Sequence, residues 1–238
     1  MKTPDLGSVG AYLQSQQFSR FFPGYRVAEL ERLGYGTVWI ISNVPGDLAI
    51  PEQVLAVTER VTVGTAIVNI WVDPADQVAE SFHRIEQRHP GRLVVGIGVG
   101  NREIDGEIYR KPKTHTKRAR QLFGSDAVLA AVETVFLDTD VNAAREKARD
   151  WARLYLTVAN FANSPKETDF PDLVVGAEPD DAVVDALAAY GSAEDIAARV
   201  EARLAAGADN VPLYPQPIDA DPMPAFTAVA EALRLTRR

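Results

Sequence analysis

Residues 61–101 constrain the fold of this chain more than any other stretch. They read V-T-V-G-T-A-I-V-N-I-W, then an amphipathic segment opened by Asp73-Pro74, then R-L-V-V-G-I-G-V-G-N. The pattern is strand, crossover helix, strand. Both strands are apolar almost throughout, as parallel strands covered on both faces must be. Both end in residues foreign to a core: Asn69 and Trp71 on the first, Gly98, Gly100 and Asn101 on the second. In parallel α/β proteins, sites are built at the carboxyl ends of the strands. One stretch therefore predicts both an architecture and a place to look for chemistry.

The flanking sequence extends the unit in both directions. Residues 6–13 form a short apolar run with Gly7 and Gly10, read as the first strand. Residues 25–33 carry Val27, Leu30 and Leu33 at helical spacing, with Gly34 as a stop. T-V-W-I-I at 37–41 is a second strand, and 51–60 is a helix with Pro51 in its first turn. Asp73 is the expected N-cap of the next helix, with Pro74 at its first position, and 93–99 is the fourth strand. Successive βαβ units of this kind predict a parallel sheet.

The second half is less regular. Residues 114–123 read as a helix, 128–137 as a strand ending in Asp138-Thr139-Asp140, 141–162 as a long helix and 163–171 as a polar loop. Residues 180–189 and 193–206 read as helices broken at Gly191. A short strand at 210–214, a Pro-rich loop and a terminal helix finish the chain. The count is about six strands, against the eight, in about 250 residues, of a complete (β/α) barrel. No linker divides the chain. The expectation is one α/β domain over residues 1–238, a TIM-barrel-like (β/α) fold with parallel strands that is incomplete as a barrel.

Composition narrows the partners. The 238 residues carry a net charge of −8, which argues against nucleic acid or an acidic membrane as partner. The pairs Arg110/Lys111 and Lys117/Arg118 read as solvated surface. The chain has no cysteine, which excludes disulfides, thiolate metal sites and a cysteine nucleophile. M-K-T-P-D-L-G lacks a signal-peptide core, and no apolar run approaches the roughly 20 residues of a membrane span. A soluble cytoplasmic protein is the expectation. His83 and His89 are badly spaced for a metal on one helix face, and His115 is isolated, so no metal is expected. No nucleophile elbow is visible.

Gly96, Gly98 and Gly100 make G-x-G-x-G after a fourth strand, not the G-x-G-x-x-G of a dinucleotide fold. They either let a planar ring approach the backbone or give a narrow barrel the small side chains its packing needs. Asn69 and Trp71 either line a pocket or end a strand, and Asn101 either holds a ligand or caps a loop. Asp138 and Asp140 read as strand-end and cap residues. Tyr214 and the loop at 215–224 follow the last strand, where they could cover the mouth of a site.

The run V-G-T-A-I-V-N-I-W…D-P-A followed by R-L-V-V-G-I-G-V-G-N resembles the luciferase-like monooxygenase superfamily, most of all its actinobacterial members that use the deazaflavin coenzyme F420. H-T-K-R-A-R-Q-L-F-G, L-D-T-D and the pattern from Gly191 to Tyr214 resemble it too. The resemblance implies a (β/α)₈ barrel binding F420 or FMN at the carboxyl ends of its strands, to reduce or oxygenate a small organic substrate. It implies a bulge in the third strand with a non-proline cis peptide under the ring system, here at Ala66–Ile67. Asn69 matches a position near the cofactor. Gly98, Val99, Gly100 and Asn101 match the strand-four end that borders its tail, and Trp71 is a candidate beside them.

Two departures qualify the resemblance. Ser42 and Asn43 stand where the family's second strand ends in an acid or a histidine, and neither is a general base near neutral pH. Two βα units that normally follow the fourth strand are expected to be absent, which would shorten the barrel. The alternative to an active oxidoreductase is therefore a degenerate, inactive member acting as a binding or structural homodimer. A lyase or isomerase on an ordinary barrel lacks a lysine or carboxylate pair at strand ends.

Overall fold

Seven strands form one sheet: β1 (Val9–Gln14), β2 (Thr37–Ile41), β3 (Thr62–Asn69), β4 (Leu93–Gly98), β5 (Glu133–Leu137), β6 (Ala188–Gly191) and β7 (Val211–Pro215). They come from a computed structural model that describes residues 4–22, 26–42, 44–69, 72–98, 130–159, 161, 162, 170–206 and 208–236. The order is β4-β3-β2-β1-β7-β5-β6, and every pairing is parallel. Among the described residues β4 and β6 end the sheet.

Among the described residues the helices are α1 (Ser15–Phe21), α2 (Val27–Arg32), α3 (Ala49–Ala56), α4 (Ala75–Arg88), α5 (Val141–Tyr155), α6 (Asp181–Leu187), α7 (Ala193–Ala205) and α8 (Met223–Ala232). None of them is long and apolar enough to cross a membrane. The caps follow the sequence. The Asp140 side chain accepts from the amides of Asn142 and Ala143 at the start of α5, and Ser192 forms a capping box with Asp195 at the start of α7.

Alternation along the strands divides the sheet into two faces. Ala11, Leu13, Val38, Ile40 and Val63 are shut from solvent and share one core with Leu30, Leu55, Ile85 and Phe226. That core is the helix-covered face. Tyr12, Trp39, Gly64 and Val94 are register partners across β1 to β4 and share the opposite face. At the β5–β6 end this second face is covered as well, because Phe136 and Ala188 pack against Ala148, Ala152 and Trp151 of α5.

Several expectations need correction. The sheet has seven strands among the described residues, not about six, because A-A-Y-G at 188–191 is a strand and not the end of a helix. Alanine favours helix, but Ala188 and Ala189 pair with Thr134 and Val135, and that tertiary pairing overrides propensity. The new strand lies outside β5, which is why β5 sits between β7 and β6. The first strand starts at Val9, and α1 follows at once where no helix was expected. The long helix stops at Tyr155, not near residue 162. Asp73 is not the cap of α4: Pro74 holds that position, and the Asp73 carboxylate accepts from the Gly46 amide at 2.9 Å.

The helix expected at 114–123 lies outside the described residues. So does residues 99–129, the segment on which the absence of two βα units turns.

Candidate active site at the carboxyl ends of the strands

Gln14, Ser42, Asn69, Gly98 and the segment after Tyr214 all lie at the carboxyl end of the sheet, because every strand points the same way. The distinctive feature there is in β3. Its ladder with β4 runs Val63↔Leu93, Gly64↔Val94, Thr65↔Val95, then jumps to Val68↔Ile97 and Asn69↔Gly98. Ala66 and Ile67 therefore oppose Gly96 alone, which is a bulge; bulges re-aim side chains and are over-represented next to active sites. The Ala66–Ile67 peptide is cis, at the bond the resemblance indicated.

The bulge is tied to its surroundings by backbone. The Val44 amide donates to the Ile67 carbonyl at 2.9 Å, linking the bulge to the loop after β2. The Asn69 carbonyl accepts from the amides of Val72 and Asp73 at 3.1 and 3.0 Å. Asp73 in turn holds Gly46. These bonds close a corner between the loops that follow β2 and β3.

The glycines of β4 belong to this packing. A Cβ on Gly96 would sit 2.2 Å from the Thr65 carbonyl oxygen, and one on Gly98 would sit 3.1 Å from the Ile67 side chain. At both positions neighbouring strand atoms claim the space, as the packing reading requires. Ile67 is half-buried and lies over Gly98, so an apolar side chain caps the β3–β4 end. Asn69, register partner of Gly98, is 1% exposed. Ser42 is exposed, with φ of 71°, and its carbonyl accepts from Ser15 Oγ at 3.4 Å. Asn43, Trp71, Val99, Gly100 and Asn101 lie outside the described residues.

A polar cluster at the ends of β1 and β7 joins Tyr214, which the sequence reading named, to Gln14 and Gln17, which it passed over. Gln14 Nε2 donates to Tyr214 Oη at 2.7 Å. The Gln17 carboxamide, 4% exposed, accepts from the Gln14 amide at 2.9 Å and donates to the Ile218 carbonyl at 3.1 Å. Tyr12 meets Tyr214 edge to face at 5.4 Å. Burial, with smaller contributions from Tyr214 and Tyr155, pushes the Tyr12 hydroxyl up to about 12. Burial also raises Tyr214, against the pull of the Gln14 and Gln216 carboxamides. The signal was available: Gln14 is a polar residue ending an apolar strand, as Asn69 is.

A cavity bounded by described residues lies elsewhere. It holds about 330 Å³ between Gly7, Glu31, Gly36, Arg60, Val61 and Arg92, where β1 to β4 begin. Its polar groups hold the chain together. Glu31 accepts from the amides of Glu59, Arg60 and Val61, and Arg92 donates to Val61 and Thr58. The amino-terminal pole of a parallel barrel serves stability, so the carboxyl pole is the better candidate. Among the described residues no group of three or more histidines and carboxylates could hold a metal ion.

Asp138 and Asp140 behave as strand-end and cap residues. Asp138 accepts from the Asp140 amide at 3.0 Å and pairs with Lys147 at 2.6 Å.

The family model for luciferase-like monooxygenases matches residues 24–180. Solved structures similar to the chain include an F420-dependent secondary alcohol dehydrogenase in complex with an F420-acetone adduct, at 15% identity and a TM-score of 0.64 over 100% of both chains. Another is the coenzyme F420-dependent tetrahydromethanopterin reductase from Methanopyrus kandleri, at 13% identity and 0.64, covering 95% of this chain and 98% of that one. A third is the oxygenating constituent of 3,6-diketocamphane monooxygenase of Pseudomonas putida in complex with FMN, at 12% identity and 0.58, covering 94% and 96%. At these identities the likeness shows the fold: a parallel α/β sheet of the TIM-barrel luciferase-like kind. A comparison with curated proteins finds no match.

Proposed function

The chain belongs to the luciferase-like monooxygenase family, and on that premise we propose that it is an oxidoreductase using F420 or FMN on a small organic substrate. The observation that carries this reading is the β3 bulge at the carboxyl pole, walled by the loops after β2 and β3. Its residues fit the ring of such a coenzyme. Ile67, half-exposed and backed by Gly98, offers an uncharged apolar surface, and no residue from Thr65 to Asn69 carries a charge. In this reading Ala66 and Ile67 support the ring and Gly98 lets Ile67 lie flat. Asn69, being shut from solvent, holds the bulge in shape. Ser42 stands at the edge. Asn43, Trp71, Val99, Gly100 and Asn101 enter on the resemblance alone.

When bound, the coenzyme supplies the hydride or activates the oxygen, and the protein supplies orientation and exclusion of water. Ser42 does not accept a proton near neutral pH. Proton handling therefore falls to other residues of the mouth or to water.

The test is direct. The visible spectrum of the purified protein, followed by titration with FMN and with F420, should give a bound chromophore and a raised unfolding midpoint for one of them. Unchanged spectra and midpoints with both would overturn the reading.

Ser42 also favours a second reading, since the family's acid or histidine is missing there. The protein would then be an inactive homodimer that binds or scaffolds. Light scattering would give a dimer and the spectrum no chromophore. A monomer would exclude that version.

A further inference from the structure

We propose that Tyr214, oriented by Gln14, is the hydrogen-bond donor that recognises substrate, and that it takes an uncharged acceptor: a carbonyl oxygen on a flat, apolar molecule. The inference rests on the oxidoreductase reading only for the word substrate; the site itself stands on its own geometry.

The hydroxyl has a defined polarity. Gln14 Nε2 donates to Tyr214 Oη at 2.7 Å, so the oxygen is used as an acceptor. Among the described residues none accepts the Tyr214 proton. A hydroxyl whose oxygen already accepts one bond keeps its proton available for a ligand. Burial raises its pKa, so it stays a neutral donor through the physiological range and does not serve as a base.

The cluster is fixed in place. Gln14 ends β1 and Tyr214 lies in β7, and the two strands are paired. Gln17 clamps the Gln14 amide from one side and the Ile218 carbonyl from the other, so the strand end and the loop after β7 move together.

The surroundings set the ligand class. The groups that act on Tyr12 are Tyr214 and Tyr155, and those that act on Tyr214 are Gln14 and Gln216. None of them carries a formal charge. Tyr155 stacks between Trp151 and Phe161, at 4.5 and 4.3 Å between ring centres. Among the described residues the environment is thus aromatic, low in charge and provided with one unused donor. A carboxylate or phosphate would find no cation among them, whereas a ketone or amide oxygen would find its partner.

Acetophenone, ethylbenzene and benzoate serve as probes, titrated into the protein without added coenzyme and read by chemical-shift perturbation. The three share a ring and differ in the group presented to Tyr214. Acetophenone should bind about fivefold tighter than ethylbenzene, the value of one net hydrogen bond, and benzoate should bind more weakly than acetophenone. Tyr214→Phe should abolish the preference for acetophenone while leaving ethylbenzene unchanged. Gln14→Leu, which keeps the Tyr214 ring, should reduce it. Equal binding of acetophenone and ethylbenzene by the parent protein, an intact preference in Tyr214→Phe, or tighter binding of benzoate would each overturn the proposal. Because no coenzyme is present, these outcomes are independent of whether FMN or F420 binds.

Discussion

The indole of Trp39 lies on Gly64, across the β2–β3 pair. A Cβ on Gly64 would come 2.4 Å from Trp39 Cε3. The ring is not free to move aside, because its Nε1 donates to Asn210 Oδ1 at 3.1 Å. Asn210 is itself fully buried and donates to the carbonyls of Leu6 and Gly7 at 3.1 and 2.8 Å. One missing methyl on β3 thus fits a relay that reaches β1 and β7. Gly64→Ala should destabilise the protein by about 1–3 kcal/mol, the ordinary cost of overpacking. Urea unfolding would measure it, as a lower midpoint at unchanged slope; a wild-type midpoint would mean that the indole can swing away.

Glu31 gives a pH-dependent prediction. Burial alone would raise its pKa, but the amides of Arg60, Glu59 and Val61 outweigh burial and hold it below the ordinary glutamate value. A folded-state pKa below the unfolded one means a contribution fully present above the unfolded value of about 4.3. It is lost as pH falls through the folded value. Glu31→Gln should therefore cost about 1.5–3 kcal/mol at neutral pH, the range for hydrogen bonds to a charged group. The gap between the variant and the parent should start to narrow below about pH 4 and close once pH is below the folded value. Unfolding midpoints measured across that range would check it; a gap that stays constant into acid would contradict the assignment.

What the sequence disclosed follows from how each element is determined. Thr37–Ile41 was legible to the residue, because a β-branched run between Gly36 and the Ser42 turn has one local solution. The β3–α4–β4 unit was legible through apolar runs and a Pro at the helix start. β6 was not, since Ala188-Ala189 carries no strand signal and becomes a strand only by lying against β5. Asp73 looked like a cap because its partner, the Gly46 amide, is 27 residues away. At the mouth, Asn69 and Gly98 were visible as odd residues at strand ends. The link of Gln14 to Tyr214 spans 200 residues and exists only once β1 and β7 pair.

The α5–α6 junction should be sensitive to salt. Arg145 meets Asp185 at 2.9 Å and Asp181 at 3.2 Å, Arg149 meets Asp181, and Arg153 meets Glu178 at 2.5 Å. Apart from Arg149, whose side chain is 16% exposed, these charges face water, where pairs contribute little and are screened. Raising NaCl from about 0.05 M to about 1 M should lower the unfolding midpoint of the parent more than that of Asp181→Asn. Asp181→Asn itself should cost less than Gly64→Ala. Parallel salt curves for the two proteins would show that the network contributes nothing.

Glu133 should behave in the opposite way, because its carboxylate is fully buried on the helix-covered face. Arg203 contacts Oε2, Arg199 lies 3.6 Å from the same oxygen, and both come from α7. Oε1 has no hydrogen-bond partner among the described residues. Removing one partner of a buried pair strands a charge, and the full penalty runs to about 3–5 kcal/mol. With Arg199 still beside it, Arg203→Met should cost about 2–3 kcal/mol. Glu133→Leu should cost less, since Arg203 is already a third exposed and can turn to water. The double variant Glu133→Leu/Arg203→Met should recover most of the loss, because no buried charge remains and Arg199, 36% exposed, can turn to water. Urea unfolding of the three variants checks the ordering. If Arg203→Met matches the parent, or if the double variant is the least stable, the buried carboxylate is held by something other than α7.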